Sequence, residues 1–236
     1  MRIEIWSDVV CPWCFIGKRR MESALAAFPH ADEVEVVYRS FELDPSAPRN
    51  GTERTVDALT RKYGPQAPQM MAQVDGIARE EGLDFHQDRT VHGNTVDAHR
   101  LLHLALAEGG PARQVEVKEA FLSAYFEHAR NLSDPAELRA VAVEAGMAPE
   151  RVDQVLASDE YADAVAADVQ QARAFGATGV PFFVVDRAFG LSGAQSVEVF
   201  TQVLERAWAQ SHPALVQVGG DDAEACGPDG CAVPQA

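Results

Sequence analysis

Strand-forming sequence in this chain is confined to its two ends. "RIEIW" (2–6) and "EVEVVYRSFEL" (33–43) are rich in β-branched and aromatic residues, and nothing comparable returns until "VPFFVVD" (180–186) and "AFGLSG" (188–193). Between them, about 120 residues carry helical periodicity instead. A sheet of so few strands must draw on both ends of the chain. The helical stretch is therefore an insertion within one α/β domain, not an independent domain following it. The predicted plan is β-α-β, helical insertion, β-β-α. Residues 1–48 and 177–212 form the sheet domain, 49–176 the all-helical insertion and 213–236 a tail.

The helices show their ends. A first helix should open at "CPWC" and run to about Ala27, with "FPH" as its break. In "NTVDAHRLLHLALAEGG", Asn94 is placed to cap, Ala98, Leu101, Leu102, Ala105 and Leu106 make one stripe, and Gly109 and Gly110 stop it. "VKEAFLSAYFEH" (117–128) follows. Asp134 is the predicted cap of the next helix, with Pro135 in its first turn and Glu137 set for a capping box. "YADAVAADVQQARAFG" puts Tyr161, Val165, Val169 and Ala172 on one face, and residues 196–210 read as a last amphipathic helix. The tail is polar, Gly-rich and aperiodic, which predicts mobility.

The formal net charge is −16, from 36 acidic and 20 basic residues. Such a chain repels phosphate, which argues against nucleic acid or an anionic membrane as its main partner. "MRIEIWSDVV" lacks a basic segment leading into an apolar run, and no stretch approaches the roughly 20 apolar residues of a spanning helix. The expected setting is the cytoplasm, where a close cysteine pair is catalytic, redox-sensing or metal-binding more often than a structural staple.

Cys11 and Cys14 in "SDVVCPWCFIGKRR" sit where a strand gives way to a helix. Pro12 suits the first helical position, because its missing N–H would be unpaired there. Cys11 then occupies the N-terminal edge, where free backbone N–H groups and the helix dipole favour a thiolate. Cys14, three residues on, shares its face and lies within disulfide reach. An exposed Cys11 would attack a disulfide and a sheltered Cys14 would resolve the mixed disulfide. Lys18, Arg19 and Arg20 could add positive potential, whereas Asp8 would raise the thiol pKa if it points the same way. Trp13, between the sulfurs, is the ring expected to face a substrate. In "GATGVPFFVVD", Pro181 either simply opens an edge strand or follows a bond held cis for a purpose.

These motifs, with "NTVDAHRL" in the insertion and "LSGAQ" after the strands, resemble the DsbA-like thioredoxin-fold proteins, and within them the cytoplasmic FrnE-type group. The resemblance covers residues 1 to about 210. It implies an α/β thioredoxin fold interrupted by an all-helical domain, with Cys11 as nucleophile, Cys14 as resolving thiol and Pro181 as a cis-proline beside them. It also implies that the backbone at Val180 pairs with a bound thiol or peptide. The same superfamily contains 2-hydroxychromene-2-carboxylate isomerases and kappa-class glutathione transferases. These typically carry serine where Cys11 stands, and this chain departs from them there.

The resulting expectation is a thiol–disulfide oxidoreductase acting on protein or small-molecule thiols and disulfides. Its dithiol is the redox centre, so no organic cofactor or metal is required, and glutathione is a possible co-substrate. Monomer and dimer are equally compatible with the acidic composition. Two alternatives stand beside this one: a glutathione-dependent isomerase or transferase, and a zinc-holding module using all four cysteines. Cys226 and Cys231 bracket the turn-prone "GPDG". They are read as an accessory redox pair, with a passive disulfide and a share in a zinc site as the other options. His99 and His103 lie one turn apart without a third ligand, so they are expected to be solvated or domain-facing rather than metal-bound.

Overall fold

The computed structural model describes residues 1–213, together with the backbone of 226–227 and 230–231. Strand β1 (Arg2–Ser7) leads into helix α1 (Pro12–Ala26), which returns the chain to β2 (Glu35–Ser40). Six helices follow: α2 (Thr55–Tyr63), α3 (Ala67–Glu80), α4 (Val96–Phe126), α5 (Pro135–Glu144), α6 (Pro149–Leu156) and α7 (Ala162–Ala174). Strands β3 (Phe182–Val185) and β4 (Phe189–Ser192) and helix α8 (Val197–Ser211) complete the fold. The sheet order is β2-β1-β3-β4. β1 runs parallel to β2 with Ile5 opposite Tyr38, and antiparallel to β3 with Ile5 opposite Phe183. Both ends of the chain therefore build one sheet, and β1 at its centre carries its C-terminal end directly to the cysteines.

The pleat sorts the side chains. Ile3 and Ile5 of β1 join Phe183 and Val185 of β3 on the face covered by α1 and α8, where Met21, Phe200 and Leu204 are buried. Trp6, Phe182 and Val184 point the other way, onto Ala172 of α7. Trp6 anchors that helix further by donating its indole N–H to the Asp168 carbonyl at 2.8 Å. A larger core, centred on Phe15, Leu101, Phe121 and Phe126, joins α1 to the insertion.

β2 is an edge strand, and α4 covers it. The side chain of Gln114 accepts from the Tyr38 N–H at 2.8 Å and donates to the Tyr38 carbonyl at 3.0 Å, taking the place of a neighbouring strand. Gln114 reaches this edge because α4 changes course at Gly110 (φ 74°, ψ −173°), ahead of Pro111. Only glycine adopts that φ readily. The pair Gly109–Gly110, expected to end a helix, instead breaks one continuous run into two arms. Three helix starts also differ in detail. Asn94 accepts from the Val96 N–H at 3.0 Å, one residue outside the position expected. Asp134 caps α5 as expected, accepting from Ala136 and Glu137, but Glu137 reaches past it to the Asn131 N–H. Tyr161 sits before α7 with φ 67° and is not part of its apolar face.

Glu4 lies on the Trp6 side of β1 with only 2% of its surface exposed, held by Arg39 at 2.7 Å and Arg187 at 2.9 Å. Burial alone would push its carboxyl up, but the two guanidiniums outweigh that and hold it below the ordinary value of 4.5. A depressed folded pKa contributes stability above the ordinary carboxylate range, and that stability is lost as pH falls through the folded value. Glu4→Gln should therefore lower the unfolding free energy by about 1–3 kcal/mol at neutral pH. In denaturant titrations, the variant should lose less stability than the wild type on acidification below that range.

Candidate active site

β1 ends at Ser7, and four residues later Cys11 stands just outside α1 in extended backbone (φ −96°, ψ 113°) with Pro12 in the first turn. The Cys14 N–H donates to the Cys11 carbonyl at 3.0 Å, closing that turn. Both thiols are free, and both are buried, with 4% and 2% exposed. The expected contrast between an exposed Cys11 and a sheltered Cys14 is thus absent, because the loop bearing Pro181 covers Cys11. The Cys11 Sγ lies 3.5 Å from the Val180 carbonyl, and the Val180–Pro181 peptide is cis. The Gly193 N–H ties the Pro181 carbonyl at 2.8 Å, leaving that of Val180 turned to the sulfur. Gly17 permits this closeness, since a Cβ there would stand 3.2 Å from Pro181 Cγ and 3.3 Å from Phe183 Cζ. Trp13 is 38% exposed at the surface of the turn.

Beneath the pair lies a set of buried charges. The Asp8 carboxylate accepts from the Val9 N–H at 2.7 Å and the Leu43 N–H at 2.8 Å, and His99 Nε2 approaches it at 3.3 Å. Burial would raise its pKa, but His99, the Leu43 N–H and Lys118 together hold it low, so it is an anion. Lys118, from the second arm of α4, is fully buried. Its ammonium donates to the Ser7 carbonyl at 3.5 Å and stands 5.5 Å over the Tyr38 ring, and among the described residues no carboxylate lies within salt-bridge distance of it. Burial pushes its pKa down to about 8, while Cys14, Asp8 and Cys11 act to keep it charged.

The two thiols are coupled, and their surroundings treat them differently. Cys11 is pushed up first by its hydrogen bond to Cys14, then by burial and by the charges on Cys14 and Asp8. For Cys14 burial also opposes ionisation, but the Cys11 thiol, Lys118 and Ser7 outweigh it. Of the two, Cys14 is the thiol whose ionisation the surroundings favour. The helix N-terminus alone points to Cys11. It is opposed by the hydrogen bond from the Cys11 thiol and by the buried Lys118 ammonium, both of which favour ionisation of Cys14.

The basic run after the motif does not supply this charge. Lys18 and Arg19 are engaged by Glu22 and Glu119, and Arg20 by Glu81 at 2.6 Å. The histidines are buried and domain-facing, not solvated. His99 meets Asp8, and His103 Nε2 lies 3.1 Å from the Asp168 carboxylate, which also accepts from the Ser40 N–H at 2.9 Å and meets Arg39 at 3.5 Å. Sequence reasoning missed Lys118. Its signal was a lysine on the helix face that Phe121, Leu122 and Tyr125 place in the core. Among the described residues no group of three or more histidine, cysteine, aspartate and glutamate side chains could hold a metal. The side chains of Cys226 and Cys231 lie outside the described residues. Their backbones pair antiparallel as β5 (Cys226–Gly227) and β6 (Gly230–Cys231).

Residues 2–205 match the DSBA-like thioredoxin domain family, and the chain belongs to that family. A probable DsbA oxidoreductase from Streptomyces coelicolor is 50% identical over the whole of both chains, with a TM-score of 0.84. The cytosolic disulfide reductase DsbM from Pseudomonas aeruginosa shares the fold at 17% identity and a TM-score of 0.58, over 87% of this chain and 98% of its own. A 2-hydroxychromene-2-carboxylate isomerase does so at 13% and 0.64, over 89% and 98%. The uncharacterized protein YwbO of Bacillus subtilis is 26% identical over 86% of this chain and 96% of its own. No helix of the described residues is long and apolar enough to cross a membrane.

Lys118→Met should raise the pH at which the pair forms its first thiolate, followed by ultraviolet thiolate absorbance against pH. Alkylation at neutral pH should slow by about two- to tenfold. Superimposable titrations of the two proteins would show that the pair does not feel this charge.

Proposed function

We propose that the chain is a thiol–disulfide oxidoreductase whose Cys11 and Cys14 open and close a disulfide with protein or small thiol substrates. The observation that carries this reading is the free cysteine pair at the start of α1, with the Cys11 sulfur against the Val180 carbonyl. When a substrate disulfide docks along Val180 and Pro181, the shared proton passes to Cys14 and leaves Cys11 as thiolate. Cys11 attacks one substrate sulfur, and the other leaves as thiolate. Cys14 then gives up its proton to that leaving group and attacks the Cys11 sulfur, expelling the second substrate sulfur as thiolate. Two electrons have passed to the substrate, and the reverse sequence oxidises substrate thiols. Trp13, beside the reacting sulfurs, supplies an apolar contact for the partner.

The dithiol is the redox centre in this reading, so it calls for no organic cofactor or metal, and glutathione can serve as co-substrate. A cytoplasmic setting, where thiols are kept reduced, suits it. Residues 1–48 and 177–212 would act as the thioredoxin-like domain, with 49–176 as the insertion. Cys226 and Cys231 are assigned the accessory role of exchanging electrons with the first pair, supported by the register that puts them opposite each other. Changing both to Ser should alter the exchange rate of Cys11 and Cys14 while the fold is kept. Unchanged kinetics would remove that role.

The central test is alkylation and mass spectrometry, resolved by cysteine, across a glutathione redox series. Cys11 and Cys14 should interconvert as a pair at one midpoint, and Cys14→Ser should accumulate a mixed disulfide on Cys11. A pair that never oxidises, or a Cys11 that forms only a stable glutathione adduct in the wild type, would overturn the reading in favour of glutathione-dependent isomerase chemistry.

A further inference from the structure

An anion beside a thiol that must ionise works against the reaction, and Asp8 is placed to do so. It stands three residues before Cys11 on the loop that links β1 to α1, with none of its surface exposed. The Cys11 thiol is pushed up by its hydrogen bond to Cys14 and by burial, and the Asp8 charge adds to both. In surroundings of low dielectric such a charge is felt further than in water. The exchange itself makes no use of this carboxylate.

His99 meets the carboxylate from the helical insertion. Its Nε2 lies 3.3 Å from Asp8 Oδ1, and only 1% of the residue is exposed. The first arm of α4 aims the ring. The His99 N–H donates to the Thr95 carbonyl at 3.0 Å, and the neighbouring Arg100 binds Asp97 at 2.8 Å and the carbonyls of Val155, Ser158 and Glu160. Asp8 does not need the imidazole for its position. Its Oδ1 accepts from the Val9 N–H at 2.7 Å and its Oδ2 from the Leu43 N–H at 2.8 Å, both shorter than the contact to His99. What the ring adds is the positive end of an N–H against the anion, and hydrogen bonds to an ionised acceptor are among the stronger ones. Burial would raise the Asp8 pKa, and His99 leads the groups that hold it low.

The other charged and titratable groups around this pair come from three segments. Cys11 and Cys14 face it from the turn into α1, Lys118 and Tyr125 from the second arm of α4, and Glu42, pushed up by burial, from the segment after β2. On the first arm of α4, Arg100 is committed to the contacts above and His103 to Asp168. Lys118 favours ionisation of Cys14. The side chain in contact with the anion that disfavours Cys11 is His99.

We propose that His99 is a positioning residue for the exchange reaction: by donating its Nε2–H to the Asp8 carboxylate, it restrains the field of that anion at Cys11 and lets the sulfur become the attacking thiolate. The inference rests on the oxidoreductase reading and names a residue that tunes its first step. No atom or electron passes through His99. Cys11 forms the new S–S bond, the leaving substrate sulfur takes the electron pair, and the imidazole acts only through Asp8. The two residues therefore act with opposite signs. Removing the donor leaves a stronger anion beside Cys11, whereas removing the anion leaves the donor nothing to act on.

The test is the pH profile of Cys11 alkylation in the reduced full-length protein, read by mass spectrometry so that each cysteine is followed separately. His99→Phe should move the profile up by about one pH unit and slow alkylation at neutral pH by about three- to tenfold. His99→Gln, which keeps an N–H donor, should recover most of that loss. Asp8→Asn should move the profile down instead. In the Asp8→Asn protein, adding His99→Phe should change the rate by less than about twofold. A His99→Phe profile that superimposes on the wild type would overturn the role. So would a shift of equal size with and without the Asp8 carboxylate, which would make His99 a structural support. If His99→Phe does not fold, Asp8→Asn decides, and a profile that stays in place or moves up sinks the inference. The same proteins are then oxidised with glutathione disulfide. A wild type whose Cys11–Cys14 pair never closes removes the oxidoreductase reading and the role of His99 in exchange together. A wild type that closes its disulfide while the alkylation profiles coincide removes His99 alone.

Discussion

A buried ammonium needs an anion, and that requirement organises the centre of this protein. Lys118 is enclosed beneath the cysteines, where the Asp8 carboxylate and the ionisable thiols of Cys11 and Cys14 act to keep it charged. A disulfide cannot ionise, so closing it leaves Asp8 as the remaining one of these groups to balance the ammonium. Proton inventory and redox state are therefore linked at this site through a residue that touches no substrate.

The linkage depends on α4. Its first arm brings His99 to Asp8 and His103 to Asp168, while its second brings Gln114 to the edge of β2 and, one turn later, Lys118 to the thiols. Gly110 sets the angle between the arms. The sheet contributes the ends of β1 and β2 and the loop before β3. The insertion supplies the groups that decide how the sulfurs ionise. Neither half would hold this arrangement alone.

The plan of the fold was legible because its signals are periodic and local. Alternating strands at the two ends, a proline after Cys11 and a proline before "FFVV" place β1, α1 and β3 within a residue or two. What stayed hidden depends on contacts between distant segments. That Lys118 faces Cys14, that Asp8 is claimed by His99, and that the loop at Val180 covers Cys11 are facts of tertiary packing with sequence separations beyond the reach of a motif. The local argument from helix polarity put the thiolate on Cys11. The hydrogen bond between the thiols and a buried charge from about a hundred residues away favour Cys14 instead. Lys18, Arg19 and Arg20 misled for the opposite reason, being near in sequence yet already neutralised by Glu22, Glu119 and Glu81.

The bend at Gly110 also bears on how such proteins can diverge. Because one continuous helix carries both the cover of the sheet edge and the counterion of the thiols, the insertion is not a detachable accessory. Exchanging it between relatives would transplant the ionisation behaviour of the cysteines along with the helices, even with the CPWC turn left untouched. Conversely, small changes of angle at this one glycine would retune the pair without altering a residue near it. The ionisation of this cysteine pair runs through the helix as much as through the CPWC turn.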